Sequence, residues 1–362
     1  MAIRVIHWGT GATGRLALGA ILERPGLELV GQYVWNAEKA GRDAGELIGR
    51  PAVGVIATQD IDALIALRPD VLTYFGNGVR DRQQTARDIA RFLQSGINVV
   101  TSSLPQLIHP DCGEPDLREI VEAACEEGGA TLFASGIDPG FATSHLAVTA
   151  YCVAHRVDRV RLQEFADYGV YPDEQTGRYL WGFGLPLDAE TVVSSGAFLK
   201  SAWTGTLEAN ARALGWTIES YRTTCVTAPA RKDHETAIGS IEKGTTSAVW
   251  FQLIATVDGA EKLILEHVNW IDVDDVPADW PVPPTFRGEP SGVSYRQVIE
   301  GEPSYDLELQ MKDSDNGLLM TAMHPVNAIP LTIAAKPGVI DQTGLAPFGP
   351  GDATSRLGAV FN

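Results

Sequence analysis

The sequence predicts an α/β protein in two parts, a parallel βαβ sheet followed by an α+β part with one open, mixed sheet. Three observations predict it. Short apolar runs alternate with helix-length stretches from Ile3 to about Thr149, the pattern of βαβ units. Beyond Thr149 the texture changes to period-two strands and hairpin signals. A glycine cluster, GTGATG at 9–14, stands where the first strand hands over to the first helix.

Ile3–Trp8 is a short apolar run fit for a buried parallel strand. Leu16, Ala17, Ala20, Ile21 and Leu22 give Arg15–Glu23 helical spacing, and Pro25-Gly26 ends that helix. LELVGQYVW is the second strand, a stretch near GVIA the third and DVLTYF the fourth. RDRQQTARDIARFLQSG is a helix with a mixed-charge face and a stop at Gly96; INVVTSS and ATLFASG are the fifth and sixth strands. RVDRVRLQEFADYG alternates with period two, and SAVWFQLIATVDGAEKLILEHVNWI reads as two strands joined at Asp258-Gly259. YRQVIEGEPSYDLELQMKD adds an antiparallel pair, while the Pro- and Gly-rich DVDDVPADWPVPPTFRGEPSG predicts a surface loop. TAMHPVNAIPLTIAAKPGVI predicts an Asn-capped, Pro-started helix returning to the first domain. The expected boundaries are 1–146, 147–320 and 321–362.

Composition narrows the function. The 362 residues are 44% hydrophobic and 20% charged, with 46 acidic against 28 basic side chains and a formal charge of −18. Such a balance argues against nucleic acid and anionic membranes as partners, both of which need clustered positive charge. Cys112, Cys125, Cys152 and Cys225 are scattered, with no CxxC pair, so no metal site and a reducing compartment are expected. The start MAIRVIHWG shows no signal peptide, and no apolar stretch of about 18 residues is expected to span a membrane. The expected location is cytoplasmic.

Gly9, Gly11 and Gly14 match GxGxxG, whose glycines serve a tight turn, close backbone approach to a pyrophosphate and helix–strand packing. Thr10, Ala12, Thr13 and Arg15 complete the loop and the first helical turn, whose unpaired amides and dipole favour phosphate. This is a Rossmann-type cradle for a dinucleotide. Asn36 stands at the end of the second strand, where an NAD-preferring chain carries an acid, and Lys39 and Arg42 follow. A neutral residue and two cations favour NADP(H), with NAD(H) possible. Gly76 and Asn77 after the fourth strand, and Thr101, Ser102 and Ser103 after the fifth, line the switch point where a dinucleotide lies.

Five segments in order, GTGATGR, DAGEL, NVVTSS, SGIDPGF and VNAIP, resemble the dihydrodipicolinate-reductase-like superfamily. The branch they resemble is that of 2,4-diaminopentanoate dehydrogenase and the native amine dehydrogenases. The resemblance spans nearly the whole chain. It implies a Rossmann domain at 1–146, an α+β substrate and dimerisation domain at 147–320, and a homodimer. It also implies reversible hydride transfer between NAD(P)H and a C=N bond formed from ammonia and a ketone or aldehyde. The His-rich, Lys-containing segment that recognises a dicarboxylate is absent; ARKDHETA around His234 has other neighbours. Dihydrodipicolinate is therefore not the expected substrate.

Amine-forming members of the branch place a glutamate just after the fifth strand. VVTSSLPQLIHP puts Leu104, Pro105 and Gln106 there, with no acid before Asp111. Gln106 hydrogen-bonds but takes up no proton near neutral pH. Either another residue moves the proton, or the protein reduces something other than an ammonia-derived imine. Candidates are Asp138, His145, Tyr168, His267 and His324. Asp138 also reads as a helix N-cap with Pro139 opening the helix. Tyr168 matches a pocket tyrosine by resemblance, and His267 faces the pocket by resemblance. Glu266 and His267 point to opposite faces of a strand and do not pair. Gly182, Phe183, Gly184, Leu185 and Pro186 read as a mobile apolar lid that, with Trp181, selects an uncharged substrate; Leu104 and His324 join that pocket. Asn327 would meet the nicotinamide carboxamide or cap the last helix. Two other readings stay open: an ammonia-independent NADPH-dependent carbonyl or C=C reductase, and a non-catalytic NADP(H)-binding sensor.

Overall fold

The computed structural model describes residues 2–76, 78, 81–313, 315–345 and 349; the expected cofactor residue Asn77 lies outside them. Two compact units share the chain. One runs to Phe141 and resumes at Leu318; the other is Ala142–Gly317.

The first unit carries β1 (Ile3–Trp8), α1 (Ala12–Glu23), β2 (Leu27–Tyr33), β3 (Ala57–Thr58), α2 (Ile61–Ala66), β4 (Val71–Tyr74), α3 (Arg82–Gln94), β5 (Asn98–Thr101), α4 (Pro115–Gly128) and β6 (Thr131–Ala134). The strands pair in parallel in the order β6-β5-β4-β1-β2-β3, the order of a doubly wound dinucleotide fold. Local chemistry sets the helix ends. Asp60 and Asp81 cap α2 and α3 by accepting from the Ala63 and Gln84 amides at 2.9 and 2.8 Å. Pro115 opens α4 and Gly129, at φ 64°, closes it. One face of the sheet packs Leu72, Val99 and Leu132 against Ile89 and Leu93 of α3 and Val121 of α4. The other packs Val5, Val71, Val100 and Phe133 against Ala17 and Ile21 of α1.

The second unit carries α5 (Leu146–Ala150), β7 (Arg156–Asp167), α6 (Ala197–Leu214), β8 (Ser220–Pro229), β9 (His234–Thr236), β10 (Gly239–Ile241), β11 (Thr246–Val257), β12 (Ala260–Trp270), β13 (Thr285–Phe286), β14 (Glu289–Pro290), β15 (Val293–Glu302) and β16 (Tyr305–Met311). Its main sheet is mixed, in the order β16-β15-β7-β12-β11-β8, with β7 and β12 parallel and the other pairs antiparallel. Asp258 and Gly259 both take positive φ, 49° and 71°, as a two-residue hairpin turn requires. Leu199, Trp203 and Leu207 of α6 pack on Phe251, Leu253 and Leu265 of one sheet face; burying each such side chain contributes about 2–3 kcal/mol.

The chain closes with α7 (Asp315–Asn327), α8 (Ile329–Ala334) and β17 (Gly338–Val339), the last pairing in parallel with β6. Several expectations are corrected here. The third strand is Ala57–Thr58, beyond most of GVIA. The last helix is two helices, and Ala328, not Asn327, caps the second, without a side-chain bond. The Asn327 carboxamide oxygen accepts from Arg24 Nη2 at 2.6 Å instead. Gly317–Ala334 is an 18-residue run apolar enough to pass for a membrane span, against expectation. Its Ala322, Val326 and Ile329 are core residues of the first unit, which accounts for its composition. In the expected surface loop, Trp280 is buried and packs on Trp250, ring centroids 5.8 Å apart.

Candidate active site

In the first unit the site starts from the glycine loop. Gly9 sits at φ +110°, and a Cβ there would lie 2.5 Å from the Phe75 carbonyl oxygen. A Cβ on Gly14 would lie 2.6 Å from the Gly9 oxygen, so the first turn of α1 can meet the loop only as glycine. A Cβ on Gly11 would meet nothing within 4 Å; here the backbone is open to an approaching group. No side chain caps α1 and its first turn holds no acid, which leaves its amides available to phosphate. The cradle therefore fits a dinucleotide pyrophosphate. Thr10, Ala12 and Thr13 form its rim, and Arg15 is exposed on the first turn.

A strut beneath the loop was not legible in the sequence. The His7 Nε2 donates to the Gly9 carbonyl oxygen at 2.7 Å, and Nδ1 then accepts from the Thr73 hydroxyl at 2.7 Å. Burial pushes the imidazole down to about 4, against the pull of its backbone partners Gly9 and Gly14, so His7 is neutral at physiological pH. Lys39 Nζ donates to Thr10 Oγ1 at 2.9 Å. That puts a cation beside the glycine loop. Asn36 caps the short turn Ala37–Lys39 through the Glu38 amide at 2.9 Å. At the switch point the Thr101 hydroxyl donates to the Tyr74 carbonyl at 2.8 Å, and Ser103 Oγ donates to the Gly76 carbonyl at 2.6 Å. Thr101 is fully buried, while Ser102 is partly exposed.

Other sequence candidates of this unit fall into place differently. Leu104 is fully buried among Leu107, Ile108 and Leu117: the chain after β5 turns its apolar side chain into the core beside α4. Gln106 lies on the short turn Pro105–Leu107, partly exposed. Asp138 is no N-cap. Its backbone is extended, at φ −149° and ψ 120°, and so is that of Pro139; helical geometry resumes only after Gly140, at φ 145°. His324 Nδ1 lies 2.6 Å from Ser135 Oγ, with its ring edge-on to Phe133 and Phe141, which fastens α7 to the end of β6. Arg24 follows α1, at the edge where the strands begin, so its bond draws Asn327 away from the edge that holds the glycine loop.

The second unit holds a different arrangement. His267 on β12 and Glu164 on β7 are directly opposite in the parallel pair. His267 Nδ1 lies 3.1 Å from Glu164 Oε1, and both residues are buried. Trp203 and Phe251 flank the imidazole with centroids at 5.0 and 4.6 Å. Trp181 stacks on Phe251 at 5.3 Å, and the half-buried Tyr168 meets Trp181 edge-on at 5.8 Å and Phe183 at 5.8 Å. The expected lid is corrected: Trp181 and Phe183 are 5% and 0% exposed. The Gly184 amide donates to the Thr246 carbonyl at 2.9 Å, and the Thr246 amide to the Leu185 carbonyl at 2.8 Å, so this loop is a packed aromatic wall. His145, another proton candidate, is a half-buried residue of the turn into α5.

Glu266 points to the other face, as the strand period requires. Arg161 binds it through Nε and Nη2 at 2.7 and 2.8 Å, with Gln163, Trp250 and Gln252 donating as well. It is saturated and structural. Glu164 was missed in the sequence, yet a signal was there. Val160, Leu162 and Ala166 share its face with period two, so a glutamate stands in an apolar register. Leu263, Leu265, His267 and Asn269 do the same on β12.

A glycine cradle on a parallel sheet of this strand order, in a chain whose second unit buries an acid–base pair among aromatic rings, defines an NAD(P)-dependent oxidoreductase. No protein-family model matches the sequence. The chain belongs to the amine dehydrogenase family: it is 35% identical to an amine dehydrogenase of Streptomyces virginiae over 368 residues, 98% of this chain and 99% of that one. It is 24% identical to a 2,4-diaminopentanoate dehydrogenase of Acetoanaerobium sticklandii over 93% of this chain and 91% of that one. A solved amine dehydrogenase from Mycobacterium smegmatis shares the fold, with a TM-score of 0.76 at 22% identity over 96% of this chain and 97% of that one.

Proposed function

We propose that this protein catalyses reversible reductive amination, taking a small or medium apolar ketone or aldehyde with ammonia and NADP(H). The observation that carries the reading is the glycine cradle in a chain 35% identical to an amine dehydrogenase. When bound, the cofactor would supply a hydride to the C=N carbon. Lys39 on Thr10, with a neutral Asn36 close by, supports NADP(H) over NAD(H): the cation attracts a 2′-phosphate, and Asn36 takes the place of the acid at the strand end that would repel it. Trp181, Phe183, Phe251 and Trp203 make the substrate end apolar, which disfavours a dicarboxylate. Tyr168 orients the carbonyl from the rim. The four free cysteines suit a reducing, cytoplasmic setting. We also propose a homodimer through the face of the second sheet that carries Glu266, where Trp250 and Gln252 are half-buried and Val226 is 45% exposed.

One observation favours a second reading, reduction of a carbonyl or C=C bond without ammonia: Gln106 supplies no proton where the branch carries a glutamate. Following NADPH and NADH oxidation with a panel of aliphatic and cyclic carbonyls, with and without ammonium chloride, separates the two. Ammonium-dependent oxidation that yields an amine, faster with NADPH, is the expected result. Oxidation indifferent to ammonium establishes the second reading, and tight NADP(H) binding without turnover a sensor.

A further inference from the structure

The face of the second sheet under α6 is polar at one central place, with Gln297 on β15 and Thr223 and Thr227 on β8 towards its edges. Tyr295, Glu164, His267 and Phe251 lie side by side across β15, β7, β12 and β11. In the next rung Asn269 stands between Ala166 and Val249, and on the other side Leu162, Leu265 and Leu253 line up with Gln297, whose amide nitrogen donates to the Ala142 carbonyl at 2.8 Å. Asn269 is fully buried, and among the described residues neither its amide oxygen nor its amide nitrogen has a hydrogen-bond partner. An amide buried in this way destabilises the fold unless something else satisfies it. It lies two residues along the strand from His267, on the same face.

The chemistry of the three groups selects one kind of ligand. The Glu164 carboxylate and the Asn269 oxygen accept from N–H, the Asn269 nitrogen donates to an oxygen, and Trp203 and Phe251 add aromatic surface that favours a cation. A group carrying both N–H donors and an oxygen on one carbon satisfies the set, and the adduct of ammonia with a carbonyl is such a group. We propose that Glu164, His267 and Asn269 form the nitrogen site of this protein. Glu164 is the catalytic carboxylate that takes the proton from ammonium, and Asn269 holds the adduct by its nitrogen and oxygen. His267 is a positioning residue, fixed between two rings with its Nδ1 3.1 Å from Glu164 Oε1. This rests on the reductive-amination reading above.

The steps balance. Ammonium gives one proton to Glu164 and becomes nucleophilic ammonia; its lone pair forms the C–N bond as the carbonyl π electrons pass to oxygen. One nitrogen proton moves to that oxygen. Glu164 returns its proton as the C–O bond breaks, and water leaves an iminium. The bound cofactor would supply the hydride that the iminium carbon accepts, so carbonyl, ammonium and NAD(P)H become neutral amine, water and NAD(P)+ with no further proton gained or lost. An acid–base group of this kind contributes about 100-fold or more to rate.

The test compares wild type with Glu164→Gln, and with Asn269→Ala in case the first variant fails to fold. The assay uses ammonium chloride and the carbonyl of the panel that turns over fastest. NADPH affinity is read separately by fluorescence titration, and reduction of a preformed cyclic imine, 2-methyl-1-pyrroline, gives a route that bypasses ammonia. The expected result for Glu164→Gln is a loss of about 100-fold in kcat/KM for ammonium, with NADPH affinity and imine reduction retained. Asn269→Ala raises the ammonium KM with NADPH affinity unchanged. A Glu164→Gln enzyme within a few-fold of wild type on ammonium, or one that loses imine reduction equally, overturns the site while leaving the reaction standing. A wild type indifferent to ammonium overturns the reaction, and the nitrogen site with it.

Discussion

His7 ties one protonation state to the geometry of the glycine loop. Its ring donates to the Gly9 carbonyl and accepts from Thr73 only while neutral. Burial holds the folded-state pKa at about 4, below the ordinary 6.5. Between these values the unfolded chain binds a proton that the folded chain does not. Its effect on stability is therefore nil above pH 6.5 and grows as the pH falls towards 4, at up to about 1.4 kcal/mol per pH unit. Urea midpoints at pH 7, 5.5 and 4.5 are expected to fall more steeply for wild type than for His7→Gln, which keeps a donor near Gly9 without titrating. Parallel pH profiles would remove His7 from this role.

At the scale of elements, the β1–loop–α1 unit separates two functions that one motif usually blurs. Gly9 is required by the fold, since it has positive φ and a carbonyl within 2.5 Å of any Cβ. Gly11 has open space on its side, so its lack of a side chain serves the ligand. Gly11→Ala is expected to keep the wild-type melting temperature and lose about tenfold or more in NADPH affinity, the clash falling on the bound pyrophosphate. Gly9→Ala is expected to lose both affinity and about 1–3 kcal/mol of stability, the cost of a strained backbone. Thermal melts and fluorescence titrations of the two variants check this. These elements were legible because glycine, apolar period and helix stops sit within a few residues of one another. The second unit's site was only half legible. His267 stood out as a histidine in a strand, but Glu164 is held beside it by register between β7 and β12, strands about a hundred residues apart in the chain. The glycines of LWGFGLP suggested movement; the contact of Trp181 with Phe251, which makes it a wall, is likewise long-range. Asn327 read as a cap because its neighbours are Pro and apolar, and Arg24, its actual partner, lies 303 residues away.

For the whole molecule, the alternation of strand and helix followed by hairpins conveyed the order of the two units, since each is built mostly from neighbours in sequence. The proposed pairing of copies would use a surface that sequence shows only as alternate residues. Val226, Trp250 and Gln252 share one face on adjacent strands. Val226→Glu is expected to turn a dimer of twice 38.9 kDa into a monomer, as measured by light scattering on a sizing column, because like charges would face each other across a two-fold axis; an unchanged mass would refute that interface. The division of the chain also has a consequence in time. The first sheet's face of Val5, Phe75 and Phe133 is covered by Ala322, Val326 and Ile329, from after the chain's return at Leu318. A ribosome therefore delivers all of Ala142–Gly317 before that face can be sealed. During that interval the nascent chain carries an apolar surface with its cover still unmade, and a message cut short before Leu318 yields a product that exposes it for good.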